Sequence, residues 1–425
     1  MSHATVSTTD ALPKTTIVRS WKTPIALAVF TALFALLLIA APRGGETTFR
    51  VSTAADAILL PDVVAPVGFT GWACVVLMAL LAAGSAWLVR SVGRSPLWVV
   101  SVFIIVGVVG FLTWAASGGT VPVANLLAGA LLGAMPLIFG ALGGVIGERA
   151  GVVNIAIESQ LLAGAFTAGV IASITKQPLL GLVGAAFAGV LVAVVLAVFA
   201  IKYLVEQVIV GVVLNVLVAG LTSFLFTQVL QPNAQTLNNP TRLPRIAIPF
   251  LSEIPVIGPV FFRQTVIVYL AYFIVAAVFV AMFYTRWGLR LRAVGEHPQA
   301  ADTVGINVNA TRFWNVLLAG AIAGLGGALF TVGGGIAFGK EMTNGAGFIA
   351  LAAVIFGQWH PIKATLAALL FGFASNLQNT LSIIGSPVPS EFMLMLPYLV
   401  TIFVVAGVVG KSRAPAADGV PYIKG

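Results

Sequence analysis

Charge, cysteine and histidine are all scarce in this chain. A single cysteine among 425 residues, Cys74, lies in an apolar run, which excludes an intrachain disulfide and any cysteine-based metal site. It reads as a small packing residue. With three histidines and neither a His-Glu-x-x-His nor a Gly-x-Ser-x-Gly pattern, the usual hydrolase signatures are missing. Gly410-Lys411-Ser412 ends like a phosphate-binding loop, but Val405 stands where the earlier glycine is required, and an apolar run precedes it instead of a strand. No catalytic residue, metal or cofactor is therefore assigned. If ATP drives this protein, its site belongs to a partner.

Charged residues make up 8% of the chain, against roughly a quarter in soluble domains. Hydrophobic residues make up 59%, and mean hydropathy is +1.06. Such a chain has no surface to offer water, so the fold class is all-α, a polytopic transmembrane bundle. The net charge of +9 would suit nucleic acid, but the basic residues cluster in short loops and tails as cytoplasmic flanks do. Nucleic acid is excluded as a partner and membrane lipid is expected.

A crossing helix takes about 20 apolar residues. That length predicts spans at 23–42, 68–89, 96–115, 122–146, 152–174, 178–201, 207–229, 265–284, 312–335, 361–380 and 391–409. A shorter run, 346–357, reads as a re-entrant half-helix or a compressed span. The total is eleven or twelve. Lys14, Arg19 and Lys22, Arg90 and Arg94, Arg286 to Arg312, and Lys411 and Arg413 all fall on one side if the number is even. Parity thus favours twelve, with both termini cytoplasmic. The first span, flanked by Lys22 and an alanine-rich end, is too long for a cleaved leader and reads as an uncleaved anchor.

The organisation follows. Residues 1–20, rich in Ser and Thr, form a disordered cytoplasmic tail, 21–120 an extension of three spans, 121–410 the core, and 411–425 a second cytoplasmic tail. No internal repeat is evident. Among the 45 glycines, Gly140 with Gly144 and Gly320 with Gly324 form small-xxx-small pairs suited to close helix approach.

Five polar residues within predicted spans are candidates for lining a translocation path. Asn154 and Glu158 share one helix face, Gln160 follows, and Gln207 and Asn215 share another. Of thirteen acidic residues, Glu158 alone falls well inside a span. A carboxylate there braces helices or lines a path. The amides, with Asn376, Gln378 and Asn379, suit either a neutral hydrogen-bonding solute or helix–helix adhesion. Phe348, Phe356 and Trp359 would stack on a flat ring or anchor span ends at the interface.

The loop 285–311 carries the most specific signal. Pro298 fits a first helical turn, Ala300, Ala301 and Val304 give a small apolar face, and Gly305 can end the helix. With Glu296, His297, Gln299 and Asp302 it forms a small-faced helix able to enter a groove on a partner. Its other reading is an amphipathic connector.

Gly147-Glu148-Arg149-Ala150-Gly151-Val152-Val153-Asn154-Ile155 resembles the signature of permease subunits of bacterial ABC importers of the branched-chain amino acid/ribose/nucleoside class. The segment from Gly295 to Ile306 resembles their coupling segment. Residues 347–361 and the tail Gly419-Val420-Pro421-Tyr422-Ile423-Lys424-Gly425 resemble the nucleoside and simple-sugar branch. The resemblance spans about residues 120–425. Ala156 and Ser159 depart from it where glycines are expected, and the first 120 residues have no counterpart.

This resemblance implies a type II ABC importer permease in the plasma membrane, moving nucleosides or related simple sugars. It implies partner ABC ATPase subunits that dock on Glu296 to Val304, a second and different permease, and an extracytoplasmic solute-binding lipoprotein. The rival class, an ion-coupled secondary transporter, needs several buried ionisable groups, and only Glu158 qualifies.

Overall fold

A computed structural model describes residues 20–52, 58–93, 95–385, 395 and 413–424. The span expected at 391–409 and the tail expected at 1–20 lie outside these, apart from Met395 and Ser20. Among the described residues, ten helices are long and apolar enough to cross a membrane. The chain is a multi-pass helical membrane protein.

The chain divides into two compact units. One holds three helices, α1 (Lys22–Ala40), α2 (Val67–Val92) and α3 (Leu97–Ala115), packed against one another. Gly110 admits Phe34 and Cys74 so closely that a Cβ would lie 2.9 Å from each, so the lone cysteine is a packing residue. The Trp114 indole N–H donates to the Ala41 carbonyl at 2.9 Å, and Arg43 lies over the same ring.

The other unit is the larger. Its long helices are α4 (Val123–Arg149), α5 (Ile157–Thr175), α6 (Pro178–Ala197) and α7 (Gln207–Leu225), followed by a single turn, α8 (Ala234–Leu237). Then come α9 (Val266–Tyr284), α10 (Arg286–Glu296), α11 (Pro298–Thr303), α12 (Val308–Ala328), α13 (Ala346–Phe356) and α14 (Pro361–Ile384). α6, α7 and α12 each run into a wider π-type turn, which carries them to Lys202, Leu230 and Gly333. Between α8 and α9 lies a short antiparallel pair, Arg245–Ala247 with Arg263–Thr265, which apolar periodicity did not signal.

Lipid offers no hydrophobic drive between helices, so close backbone approach has to supply the packing. α12 is the hub. A Cβ on Gly189 of α6 would strike the Gly320 carbonyl, and one on Gly164 of α5 would strike the Gly324 carbonyl. The pair Gly320 and Gly324 thus seats α12 against both neighbours. Gly140 and Gly144 of α4 do the same toward Ala350 and Val354 of α13.

Filling this contact should be costly. Gly189→Val overpacks a backbone–backbone contact and is expected to cost about 2–3 kcal/mol. Gly220, with nothing within 4 Å of a Cβ, supplies the control Gly220→Ala. Thermal unfolding of the purified permease in detergent should show a lower midpoint for the first variant only.

Candidate functional site

α4 and α5 do not form two clean spans joined by a turn. Gly151 takes φ +87°, and residues 152–156 are not helical. The span expected at 152–174 therefore starts five residues late, at Ile157. Past the Val152 N–H, which still reaches the Gly147 carbonyl of α4, the backbone groups of the joint need other partners. Side chains supply them. The Val153 N–H donates to Gln207 Oε1 at 2.7 Å, and the Ser159 N–H to Asn215 Oδ1 at 3.0 Å. Asn215 Nδ2 donates in turn to the Ile155 carbonyl at 3.0 Å. Asn154 and Gln160, both fully buried, pair their amides at 3.1 and 3.3 Å. Ser159 Oγ donates to the Ala156 carbonyl at 2.7 Å, a bond that a glycine at 159 could not make.

Glu158 thus sits in the first turn of α5, not in the middle of a continuous span. Its Oε1 accepts from Thr343 Oγ1 at 2.6 Å and from the Gly345 N–H at 2.9 Å. Its Oε2 accepts from the Gly347 N–H at 2.6 Å. The carboxylate therefore occupies the N-terminus of α13, where unpaired N–H groups and the helix dipole favour an anion. The short apolar run is a half-helix held by its positive end.

Its other end is held by a cation. Arg149 Nε donates to the Trp359 carbonyl at 3.0 Å and Nη2 to the Gln358 carbonyl at 3.5 Å, just beyond α13. Gln358 and Trp359 hold φ of 54° and 52°, a left-handed turn unusual for such side chains. Trp359 is buried, and its indole N–H donates to Glu148 Oε2. It is not the interface anchor that aromatic statistics suggest, because Glu148 gives the indole an inward partner. Phe348 is exposed, and Phe356 packs on Phe371. Asn376 donates to the Leu126 carbonyl at 2.7 Å, joining α14 to α4.

Arg149 also reaches the loop 285–311, with Nη1 3.5 Å from Glu296 Oε1. Gly295 comes so near that a Cβ would strike the Arg149 carbonyl. The loop holds two helices, α10 and α11, meeting at His297. On α11 the expected small face is divided. Ala301 and Pro298 turn inward, Ala301 packing with Val294, Val308 and Tyr422. His297, Gln299, Ala300, Thr303 and Val304 remain exposed, and Asp302 is half-buried. Tyr422 of the tail competes successfully for the alanine because it can bury a ring there.

Arg312 and the C-terminal tail, which the sequence did not single out as site residues, complete the arrangement. Arg312, read as a loop flank, is buried. It donates to the Val420 carbonyl at 2.8 Å and the Ala417 carbonyl at 3.4 Å. The Ala417 N–H donates to the Gly295 carbonyl at 2.9 Å, and the Ala416 N–H to Glu296 Oε2 at 3.2 Å. Asp418 shares this region with Glu148 and Arg312. Burial pushes the Asp418 carboxyl up to about 7, although Arg312 pulls it down.

Two outcomes are expected. Glu158→Gln replaces one acceptor oxygen with an NH2 that faces N–H donors, so it should not conserve function. A loss of about 2 kcal/mol, the scale of a hydrogen bond to a charged group, should appear in thermal unfolding alongside reduced uptake. A raised acid pKa means that the docked tail binds a proton more tightly than the free tail does. Tail docking should therefore weaken as pH rises from about 4 to about 7 and then level off. Amide exchange across 413–424, corrected for intrinsic rates, should show more protection at the acid end, and Asp418→Asn should abolish the trend.

Comparison with known proteins places this geometry. The family described as branched-chain amino acid transport system / permease component matches residues 126–405. The guanosine ABC transporter permease protein NupQ of Bacillus subtilis is 43% identical over 310 residues, covering 69% of this chain and 95% of that protein. The nucleoside ABC transporter permease protein NupC of Lactococcus lactis is 41% identical over 314 residues, covering 70% and 96%. NupP, a second guanosine ABC transporter permease protein of Bacillus subtilis, is 26% identical over 298 residues, covering 67% and 83%. No solved structure matches. Helices α1 to α3 precede the matched region. With most of the chain and nearly the full length of two relatives aligned, the chain belongs to the branched-chain amino acid-type family of transport permease components and is not an enzyme.

Proposed function

We propose that this chain forms half of a passage for nucleosides, or for related simple sugars, across the bacterial plasma membrane. Both termini lie in the cytoplasm. A second, different permease completes the passage, partner ATPases power it from the cytoplasm, and an extracytoplasmic lipoprotein delivers the solute. The names of NupQ and NupC support the substrate class. That NupP and NupQ come from one organism and both resemble this chain supports a pair of unlike permeases.

The observation that carries the reading is a continuous series of polar links. Glu296 at the end of α10 meets Arg149, Arg149 holds the far end of α13, and Glu158 holds its near end beside the joint at 151–156. An ATPase bearing on α10 and α11 would move a half-helix and a hinge together. Asn154, Glu158, Gln160, Gln207 and Asn215 all lie at or against that hinge. Coupling of this kind requires two arrangements that the partner favours differently.

Cells lacking this gene should lose uptake of labelled guanosine or uridine, and the intact gene should restore it. Arg149→Met keeps much of the side-chain bulk and removes the links at both ends. It should still assemble with ATPase and support ATP hydrolysis, yet restore no more than about a tenth of the uptake, a loss of about 1.4 kcal/mol or more. Full uptake by Arg149→Met would refute the coupling route, and normal nucleoside uptake without the gene would refute the substrate class.

A further inference from the structure

The resemblance assigns docking to the loop 285–311 alone, but the structure builds the C-terminal tail into the same face. Four backbone or side-chain bonds fasten it. The Ala416 and Ala417 N–H groups bond to Glu296 and Gly295 at 3.2 and 2.9 Å, and Arg312 holds the Val420 and Ala417 carbonyls. Tyr422 is buried in one cluster with Ala301 of α11 and Val308 of α12, and its hydroxyl stands beside the Asp302 carboxylate. A segment fixed by this many groups is part of the platform and not a loose end.

The tail then turns apolar side chains outward. Pro421 and Ile423, which flank the buried Tyr422, are exposed, and so is Val420 just before them. Val420 is 51% and Ile423 73% exposed, while Val304, just past the end of α11, is 75% exposed. Ordering Val420 and Ile423 in water gains nothing, whereas exposed apolar groups beside a docking helix mark a surface that another protein covers.

We propose that residues 420–423 are a second docking element for the ATPase subunit, set beside α11 and presenting Val420 and Ile423 to an apolar strip on that partner. This rests on the coupling role of α11 proposed above. The occupant is a protein because the exposed apolar Ala300 and Val304 at α11 are interspersed with exposed His297, Gln299 and Thr303, a mixture that suits a wet protein rim better than acyl chains. The tail thereby reports its own docking: only when Tyr422 is seated are Val420 and Ile423 held in place for the ATPase.

The experiment uses the full transporter in lipid nanodiscs. Val420→Asp with Ile423→Asp, both exposed, should leave permease abundance unchanged and weaken retention of the ATPase subunit by about tenfold, the scale of losing an interface anchor. Val304→Asp is run beside it as the test of α11. Loss of retention in Val304→Asp but not in the tail variant overturns the tail proposal and leaves the coupling role standing. Normal retention in both overturns both. A photoreactive residue at position 423 should crosslink to the ATPase subunit, and this holds the test open if the double variant fails to accumulate. Crosslinks to lipid alone would make the tail a membrane contact and overturn the proposal.

Discussion

One guanidinium joins three separate elements of this permease. Arg149 ends α4, caps the carbonyl end of α13 and meets Glu296 at the end of α10. None of these bonds is strong alone, and a half-exposed pair such as Arg149 with Glu296 contributes little by itself. Their value lies in placement. The far ends of α13 face opposite charges from two different helices, Glu158 at its positive end and Arg149 at its negative end, so an eleven-residue helix too short to cross a bilayer acquires a fixed position. Removing either charge frees an end that lipid cannot satisfy.

The same economy governs the joint between α4 and α5. Breaking a helix inside a membrane protein exposes backbone groups that only other protein can pair. Gln207 and Asn215, eight residues apart on one face of α7, are spaced to reach Val153 at one end and Ser159 at the other. The amides that made these positions conspicuous in the sequence are thus occupied by the chain's own backbone. The side-chain amides at this joint are already paired within the chain.

Much of the architecture was legible because long apolar runs obey a length rule that lipid enforces. The ten spans of the described residues lie close to the runs read from hydropathy, and Gly320 with Gly324 packed as their spacing suggests. The misreadings share a cause. Hydropathy has no sense of backbone breaks, so it began a span at Val152, inside the non-helical joint that follows Gly151 with its positive φ. It also could not see that Arg312, Trp359 and Ala301 would find partners far along the chain. Arg312 bonds to carbonyls more than a hundred residues away, and Tyr422 claims Ala301 from the other side. The signal that was present, an aromatic and an aspartate in a short polar tail, acquires meaning only once the tail is folded back.

The glycine contacts among α5, α6 and α12 have a mechanical consequence. Where backbones touch without intervening side chains, there is no soft layer to shear and no rotamer to change as helices slide. Those three helices are a stiff block, and movement there would require backbones to separate. The chain changes direction instead at non-helical joints such as Gly151 and the left-handed pair Gln358 and Trp359. A load applied to such a block is passed on to the joints at its edge, because nothing inside the block can absorb it.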